Sequence, residues 1–172
     1  MKHRKLSLST LLLTLLGWCV CPQLWADKVE VDGIYYNING TSATVTYPTN
    51  STPTESEGNP YTGDIVIPES ITTDGTVCTV TAIGDSAFAY STITSIQLPN
   101  TITSLGRLSI ASTKITTITI PDNVTTLGYD CLSRNENMAT VYVGASVNNL
   151  HQGVFYQSKI KDVYFTCPLP KD

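Results

Sequence analysis

Residues 93–99 read Ile-Thr-Ser-Ile-Gln-Leu-Pro, and residues 115–121 read Ile-Thr-Thr-Ile-Thr-Ile-Pro. Two more divergent copies follow, Met-Ala-Thr-Val-Tyr-Val-Gly from Met138 and Ile-Lys-Asp-Val-Tyr-Phe from Ile160. The four copies begin 22, 23 and 22 residues apart. Self-similarity at a fixed period of this length is typical of repeat proteins, in which each copy is one structural unit that stacks on its neighbours.

Each copy has apolar residues at its first, fourth and sixth positions, and the last two alternate around one outward residue. This alternation is the period of a half-buried β-strand. The proline after the first two copies cannot donate to a strand ladder, and so ends the strand. More apolar residues lie later in each copy, and they predict the other walls of a coil whose turns bury them by stacking. These later positions are Ile102, Leu105 and Ile110, then Val124, Leu127 and Leu132, then Val147, Leu150 and Phe155.

The pattern therefore predicts a mainly β fold, a short solenoid with parallel strands. A β-sandwich with regular turns is the alternative, and the three apolar sets in register favour the solenoid. An earlier copy is interrupted, because its two halves, residues 65–71 and 83–88, are separated by an insertion of about Thr72 to Val80. The insertion contains Asp74-Gly75, which favours a tight turn. We expect it to form a short hairpin that leaves the solenoid.

Two stretches carry a resemblance to a known family. Residues 93–106 read Ile-Thr-Ser-Ile-Gln-Leu-Pro-Asn-Thr-Ile-Thr-Ser-Leu-Gly, and residues 80–88 read Val-Thr-Ala-Ile-Gly-Asp-Ser-Ala-Phe. Both resemble the BspA-type leucine-rich repeat of bacterial cell-surface proteins, over about Ile65 to Phe165. The resemblance implies a leucine-rich-repeat-type solenoid in an exported protein, often attached to the cell surface. Because some members of the family have adhesive or host-binding roles, the resemblance also implies such a role here.

The chain before the repeats divides into three parts. Residues 1–26 have a basic start, an uncharged leucine-rich run and Ala26 before charged sequence, the layout of a cleavable signal peptide. Residues 27–48 alternate apolar and polar residues on both sides of Asn39-Gly40, which predicts a β-hairpin that caps the first turn. Residues 49–60 are rich in Ser, Thr and Pro and are predicted to be a linker. The solenoid then spans residues 61–166, and residues 167–172 form a tail.

Two alternatives to a cleaved signal peptide remain. The uncharged run is short for a membrane anchor, which needs about 20 apolar residues. Cys19 and Cys21 lie at the end of the run, so a lipid-anchored form is the second alternative. Cleavage near Ala26 predicts a secreted protein or one on the outer cell surface, with no membrane span in the mature chain.

Charge and cysteine content limit the classes of partner. After cleavage, seven basic residues remain against fourteen acidic ones, a net charge of about −7. Nucleic-acid binding requires a basic surface that neutralises phosphates, so no nucleic-acid partner is predicted. Three cysteines remain, Cys78, Cys131 and Cys167, and an odd number does not describe a disulfide framework. One bridge among them stays an open alternative.

No motif for catalysis is present in the sequence. His151 is the single histidine after the leader, and any Cys-His or Ser-His pair would have to use it. Its place beside a turn predicts an exposed loop residue. The Cys and His cluster that zinc requires is absent from the sequence, and the recurring glycines Gly84, Gly106 and Gly128 are turn residues at the repeat period. We therefore predict no enzyme, no metal site and no cofactor.

The outward residues of the stacked strands are the candidate binding surface. One row is predicted to contain Val66, Gln97, Thr119, Tyr142 and Tyr164, and the neighbouring row Asp64, Ser95, Thr117, Thr140 and Asp162. We select Gln97, Thr119, Tyr142 and Tyr164 as ligand-binding residues, because exposed tyrosines are enriched at interfaces. Stacking of neighbouring aromatic residues that stabilises the sheet is the alternative role, and it is compatible with binding.

These features predict an adhesive interaction protein that binds a host protein, a glycan or another cell-surface molecule. The alternative is a structural cap or spacer that associates edge to edge with other repeat proteins. The structural role is considered because the sequence shows no cap after Phe165. If the protein has this role, we expect it to self-associate through its C-terminal edge.

Overall fold

A computed structural model describes residues 28–166, so the predicted leader and residues 167–172 lie outside the described residues. Those described residues form thirteen strands and no helix. The strands are β1 Val29–Val31, β2 Ile34–Asn39, β3 Ser42–Thr46, β4 Asn59–Val66, β5 Ser70–Thr73, β6 Thr76–Ile83, β7 Ser91–Gln97, β8 Ser104–Leu105, β9 Thr117–Ile120, β10 Thr126–Leu127, β11 Thr140–Val143, β12 Asn149–Leu150 and β13 Asp162–Phe165.

The repeats coil into a solenoid with three walls. The strand wall contains β4 paired with β7, followed by β9, β11 and β13, which pair parallel and in register. The second wall is a longer sheet in which β6, β8, β10 and β12 pair parallel. The turn wall consists of the turns at residues 85–90, 107–112, 129–134 and 152–157, which follow the strands of the second wall. The predicted mainly β solenoid with parallel strands is confirmed.

The core fills the space between the walls with the apolar residues that recur in each repeat. Inward residues of successive turns are fully buried and lie one above another, as in the row of Phe88, Ile110 and Leu132. Backbone hydrogen bonds join each turn to the next, for example from Phe88 N to Ser109 O at 2.8 Å and from Ile110 N to Cys131 O at 2.9 Å. Stacking therefore provides both the apolar burial and the backbone hydrogen bonds that one turn lacks.

A glycine ladder brings the turns into close contact at the start of the turn wall. Gly84, Gly106 and Gly128 lie directly above one another, and the amide of Gly128 donates to Leu105 O at 2.8 Å. A Cβ at Gly128 would lie 2.7 Å from the carbonyl carbon of Gly106. The backbones approach too closely for any side chain, which gives these glycines a packing role beyond turn formation. His151 occupies the corresponding place in the next turn, where its amide donates to Leu127 O at 3.0 Å.

Three antiparallel strands precede the solenoid. β1 pairs with β2, β2 pairs with β3 across the turn at Gly40, and β3 pairs parallel with β6 of the second wall. The Tyr61 hydroxyl accepts from the Tyr35 amide at 2.8 Å and donates to Thr46 O at 2.9 Å. These two hydrogen bonds connect the three antiparallel strands to β4. Burial, and then the charge of Asp32, raise the pKa of Tyr36 to about 12. The predicted linker residues are irregular until β4 begins at Asn59.

The insertion forms a hairpin, but it does not leave the solenoid as predicted. β5 and β6 pair antiparallel around Asp74 and Gly75, whose φ angles of 49° and 76° suit a type I′ turn. β6 also pairs with β3 and β8, so it is a full member of the second wall. β6 stays in the wall because its own residues alternate between core and solvent, with Cys78 and Val80 both buried in the core.

The last described turn differs from the predicted core. Leu150, Val163 and Phe165 were expected to point into buried space, but they are 52%, 37% and 65% exposed. Within residues 28–166 no further turn packs on β12 and β13, so their inward side chains have a neighbour on one side alone. The apolar residues of a repeat are therefore buried only where their turn packs between two neighbouring turns.

The buried cysteines should be unreactive in the folded protein. Cys78 and Cys131 are free thiols with no exposed surface, while Cys167 lies outside the described residues. Burial is the largest cause that raises the pKa of the Cys131 thiol to about 12, so the reactive thiolate is scarce at neutral pH. We expect iodoacetamide at pH 8 to leave the Cys131 peptide unmodified until denaturant is added, as measured by peptide mass spectrometry. Rapid alkylation in native buffer would contradict this burial.

Candidate functional site

The strand wall brings three of the four predicted ligand-binding residues together. Thr119 pairs with Tyr142, and Tyr142 pairs with Tyr164, so the three side chains form one row across β9, β11 and β13. The tyrosine rings stack with their centroids 5.2 Å apart and their planes 16° from parallel. Tyr142 is 42% exposed and Tyr164 is 52% exposed. We call Thr119, Tyr142 and Tyr164 the tyrosine ladder.

Strand alternation positions the tyrosine ladder. In β11, Val141 and Val143 are buried, so Tyr142 between them must point to solvent. Parallel pairing in exact repeat register then places Tyr164 directly beside it. The predicted stacking of adjacent tyrosines is therefore present, and it fixes both rings in one orientation. A fixed aromatic surface loses less conformational entropy when it binds a partner than a mobile one does.

Gln97 lies on the same wall but outside this sheet. It ends β7, where it pairs with Val66 of β4. β7 and β9 approach each other without continuous pairing, although Lys114 N donates to Ile93 O at 3.1 Å before β9 begins. A shallow groove of about 290 Å³ separates Gln97 from Thr119. The four predicted residues thus face the same side, with a groove between the first and the other three.

The neighbouring outward row contains a fixed charge. Asp64 accepts hydrogen bonds from Thr94 Oγ1 at 2.8 Å and Ser95 Oγ at 2.7 Å. These hydroxyls stabilise the carboxylate, first Ser95 and then Thr94, and lower the pKa of Asp64 below its usual value. Thr117, Thr140 and Asp162 continue the row across β9, β11 and β13. The strand wall is consequently uncharged at its centre, with a carboxylate towards each end.

Sequence reasoning missed a second set of exposed aromatic residues, on the turn wall. Tyr129 and Tyr156 are 51% and 56% exposed and line a cavity there. His151, predicted to be an exposed loop residue, is half-buried because its ring packs on Tyr129 with centroids 4.4 Å apart. The available signal was that Tyr129 and Tyr156 are large aromatic residues outside the three apolar sets of the repeat.

The part of the chain that the structure describes holds neither a metal-binding cluster nor a membrane-spanning helix. Residues 28–166 contain no group of three or more His, Cys, Asp or Glu side chains that could hold a metal ion. Across that same range no helix is long and apolar enough to span a membrane.

The profile of the BspA type leucine rich repeat region matches residues 63–171 in six copies. The chain belongs to this family. BspA-type leucine-rich repeat proteins are typically found at the bacterial cell surface, and leucine-rich repeat proteins of this kind are generally not enzymes. The predicted family is thereby confirmed. No curated protein matches the chain in sequence.

Solved structures of bacterial leucine-rich repeat proteins are similar to this chain. A leucine-rich repeat protein from Bacteroides capillosus is 24% identical, with a TM-score of 0.63 over 80% of this chain and 97% of the other. A leucine rich cell surface protein from Faecalibacterium prausnitzii A2-165 is 22% identical, with a TM-score of 0.54 over 80% of this chain and 42% of the other. At these identities the similarity establishes the fold alone.

Proposed function

We propose that this protein is a secreted or surface-exposed adhesive protein, without catalytic activity, whose tyrosine ladder binds a protein of a host or a neighbouring cell. The observation that carries the proposal is the stacked, exposed pair of Tyr142 and Tyr164. Exposed aromatic residues bury a large area on binding and keep a polar tip for hydrogen bonds. They are also the residues that dominate binding energy at protein interfaces.

The rest of the strand wall supports a protein partner. Its centre is uncharged, and charged residues are depleted at the centres of protein interfaces. The hydroxyl groups of Thr117, Thr119 and Thr140 supply short polar contacts around the tyrosines. Family membership and a leader of the signal-peptide type support export to the cell surface, where such a partner would be met.

The binding experiment compares the wild-type protein with a Tyr142→Ala/Tyr164→Ala variant. Each is immobilised and exposed to solubilised host matrix, serum proteins and the envelope fraction of the source cells, and captured proteins are quantified by mass spectrometry. We expect at least one partner to be enriched by the wild type and reduced tenfold or more by the variant, since aromatic anchors contribute about 2 kcal/mol or more each.

The matched control is a substitution of an exposed apolar residue on another wall of the solenoid. Val77 is 61% exposed on β6, away from the strand wall, so Val77→Ala removes exposed apolar surface without touching the tyrosine ladder. Val77→Ala should capture the same partners as the wild type. If the tyrosine variant captured every partner as well as the wild type does, the assignment of the strand wall would be wrong.

A second candidate is a structural role, in which another copy of this protein stacks on the last described turn. Leu150, Val163 and Phe165 form an exposed apolar end there, and β13 is unpaired on its outer side within residues 28–166. Such a strand edge can pair with a second chain. Light scattering coupled to size-exclusion chromatography tests this, because a monomer at high concentration would rule the structural role out.

A further inference from the structure

The turn wall carries a cavity of about 370 Å³, on a different wall of the solenoid from the tyrosine ladder. Small-ligand sites occupy about 300–1,000 Å³, so the cavity has room for a short chain of small rings. Two consecutive turns, residues 129–134 and 152–157, supply most of its lining. The residues that matter for recognition are Tyr129, Asp130, Arg134, Gln152 and Tyr156.

The aromatic residues of this cavity present their surfaces to solvent. Tyr129 and Tyr156 are each about half exposed, at 51% and 56%. The ring of His151 packs on Tyr129 with an angle of 31° between the planes, which holds the tyrosine ring in place. An aromatic face is electron-rich, and the C–H groups on one face of a sugar ring carry small positive charges. Such rings therefore stack on tyrosine without the loss of a hydrogen bond.

The polar residues of the cavity differ in hydrogen-bonding character. The Asp130 carboxylate accepts, the Arg134 guanidinium donates, and the Gln152 amide does both. Arg134 is oriented by a hydrogen bond of 3.4 Å from its Nη1 to the Tyr90 hydroxyl. A sugar hydroxyl both donates and accepts, so adjacent hydroxyl groups of one ring can pair with all three side chains.

The backbone also shapes the cavity around Asp130. Gly153 has a φ of +75°, and any Cβ placed on it would collide with Asp130 Oδ1. The carboxylate therefore occupies the space that a side chain would fill in the next turn. Ser133 also lines the cavity, but its hydroxyl is buried and has no hydrogen-bond partner among the described residues, as is also true of Ser91 and Ser109 elsewhere.

A second cavity, of about 700 Å³, shares Arg134 with the first. It is lined by polar and charged side chains that include Ser112, Lys114 and Glu136. A ligand chain that leaves the tyrosines can continue past Arg134 into this polar groove. The arrangement of an aromatic subsite followed by a polar one suits an oligosaccharide better than a single sugar.

Other ligand classes fit this surface less well. An apolar ligand would remove water from Asp130 and Arg134 without replacing its hydrogen bonds, which is unfavourable. A phosphorylated ligand would meet the Asp130 carboxylate on a chain with fourteen acidic residues. A neutral, hydroxyl-rich ligand with apolar ring faces avoids both problems.

We propose that the turn wall is a saccharide-binding site, in which Tyr129 and Tyr156 stack on sugar rings and Asp130, Arg134 and Gln152 bind their hydroxyl groups. The site is separate from the tyrosine ladder and does not depend on the proposed function. The saccharide can belong to a host glycan or to a bacterial envelope, because both expose the same ring and hydroxyl chemistry.

Saturation-transfer difference NMR on the purified full chain tests this site with four probes. N-acetyllactosamine and lactose represent host glycans. The N-acetylglucosamine–N-acetylmuramic acid disaccharide, with its lactyl carboxyl group as the neutral methyl ester, and chitotriose, which has the same β-1,4-linked backbone, represent the glycan of the bacterial envelope. We expect at least one probe to receive magnetisation, strongest at its ring C–H protons, and the responding pair identifies the source. The proposal is overturned if none of the four probes responds at millimolar concentration.

Variants locate the binding within the cavity. Tyr156→Ala should weaken binding at least tenfold, whereas Tyr156→Phe should retain it because the ring is kept. Asp130→Asn should also weaken binding, while the tyrosine-ladder variant Tyr142→Ala/Tyr164→Ala should bind as the wild type does. Equal binding by wild type and Tyr156→Ala would place the saccharide elsewhere and refute this site.

Discussion

Gly128→Ala is expected to destabilise the folded protein by about 3 kcal/mol, the upper end of the usual cost of overpacking. The new Cβ would lie 2.7 Å from Gly106 C and 2.9 Å from both Arg107 N and Leu105 O. All three atoms belong to the backbone of the preceding turn, and the amide of Gly128 is hydrogen-bonded to Leu105 O. The turns must separate to admit the methyl group, which stretches this hydrogen bond.

Whether Gly128→Ala destabilises or stabilises the protein distinguishes two opposing effects. Gly128 does not have a positive φ, so alanine would ordinarily stabilise the protein by about 0.4–1 kcal/mol through the unfolded chain. Urea unfolding of Gly128→Ala measures which effect dominates. His151→Ala is the matched control, since it places alanine at the corresponding position of the next turn, where a side chain already fits. We expect this variant to change the free energy of unfolding by less than about 1 kcal/mol. An unchanged unfolding midpoint in Gly128→Ala would show that the turns are not packed this closely.

Asn135→Ala is expected to cost about 3–5 kcal/mol, because several buried groups lose their partners and each such loss costs about 1–3 kcal/mol. Asn135 has no exposed surface. Its Oδ1 accepts from both the amide and the hydroxyl of Thr113 at 2.8 Å, and its Nδ2 donates to Ile110 O at 2.8 Å and Leu132 O at 2.9 Å. One side chain therefore connects two successive turns.

Two further variants sharpen the test at Asn135. Asn135→Asp should be at least as destabilising, since a carboxylate cannot donate to the two carbonyl groups and its charge would be buried. Asn123→Ala is the control, because the exposed Asn123 makes a single hydrogen bond, to Asn100 O at 2.7 Å; we expect a loss below about 1 kcal/mol. Equal unfolding midpoints for the Asn135→Ala and Asn123→Ala variants would contradict the network.

The strand wall could be predicted from the sequence because its pattern is local. Val141 and Val143 alternate with Tyr142, and the repeat period then aligns Tyr142 with Tyr164 without any knowledge of long-range contacts. The same local reasoning failed for Val163 and Phe165, since their burial depends on a neighbouring turn and not on their own pattern. Periodicity predicts which way a residue points, while packing decides whether it is buried.

Asn135 and the turn-wall cavity could not be predicted for a related reason. Residues 133–137, Ser-Arg-Asn-Glu-Asn, look like an exposed polar loop, yet Asn135 is buried because its partner Thr113 lies one repeat earlier. The cavity likewise combines Tyr129 with Tyr156, which lie in different turns and at different places in the repeat. Neither contact follows from the apolar sets that define the period.

The most direct test of the tyrosine ladder as a binding surface is site-specific photo-cross-linking. The photoreactive amino acid p-benzoylphenylalanine replaces Tyr142 in one protein and Val77 in another, two residues that are exposed on different walls. After incubation with host cells or their matrix and irradiation, we expect a discrete covalent adduct from position 142 and none from position 77. Adducts of equal yield from both positions, or from position 77 alone, would contradict the assignment of the tyrosine ladder as a binding surface.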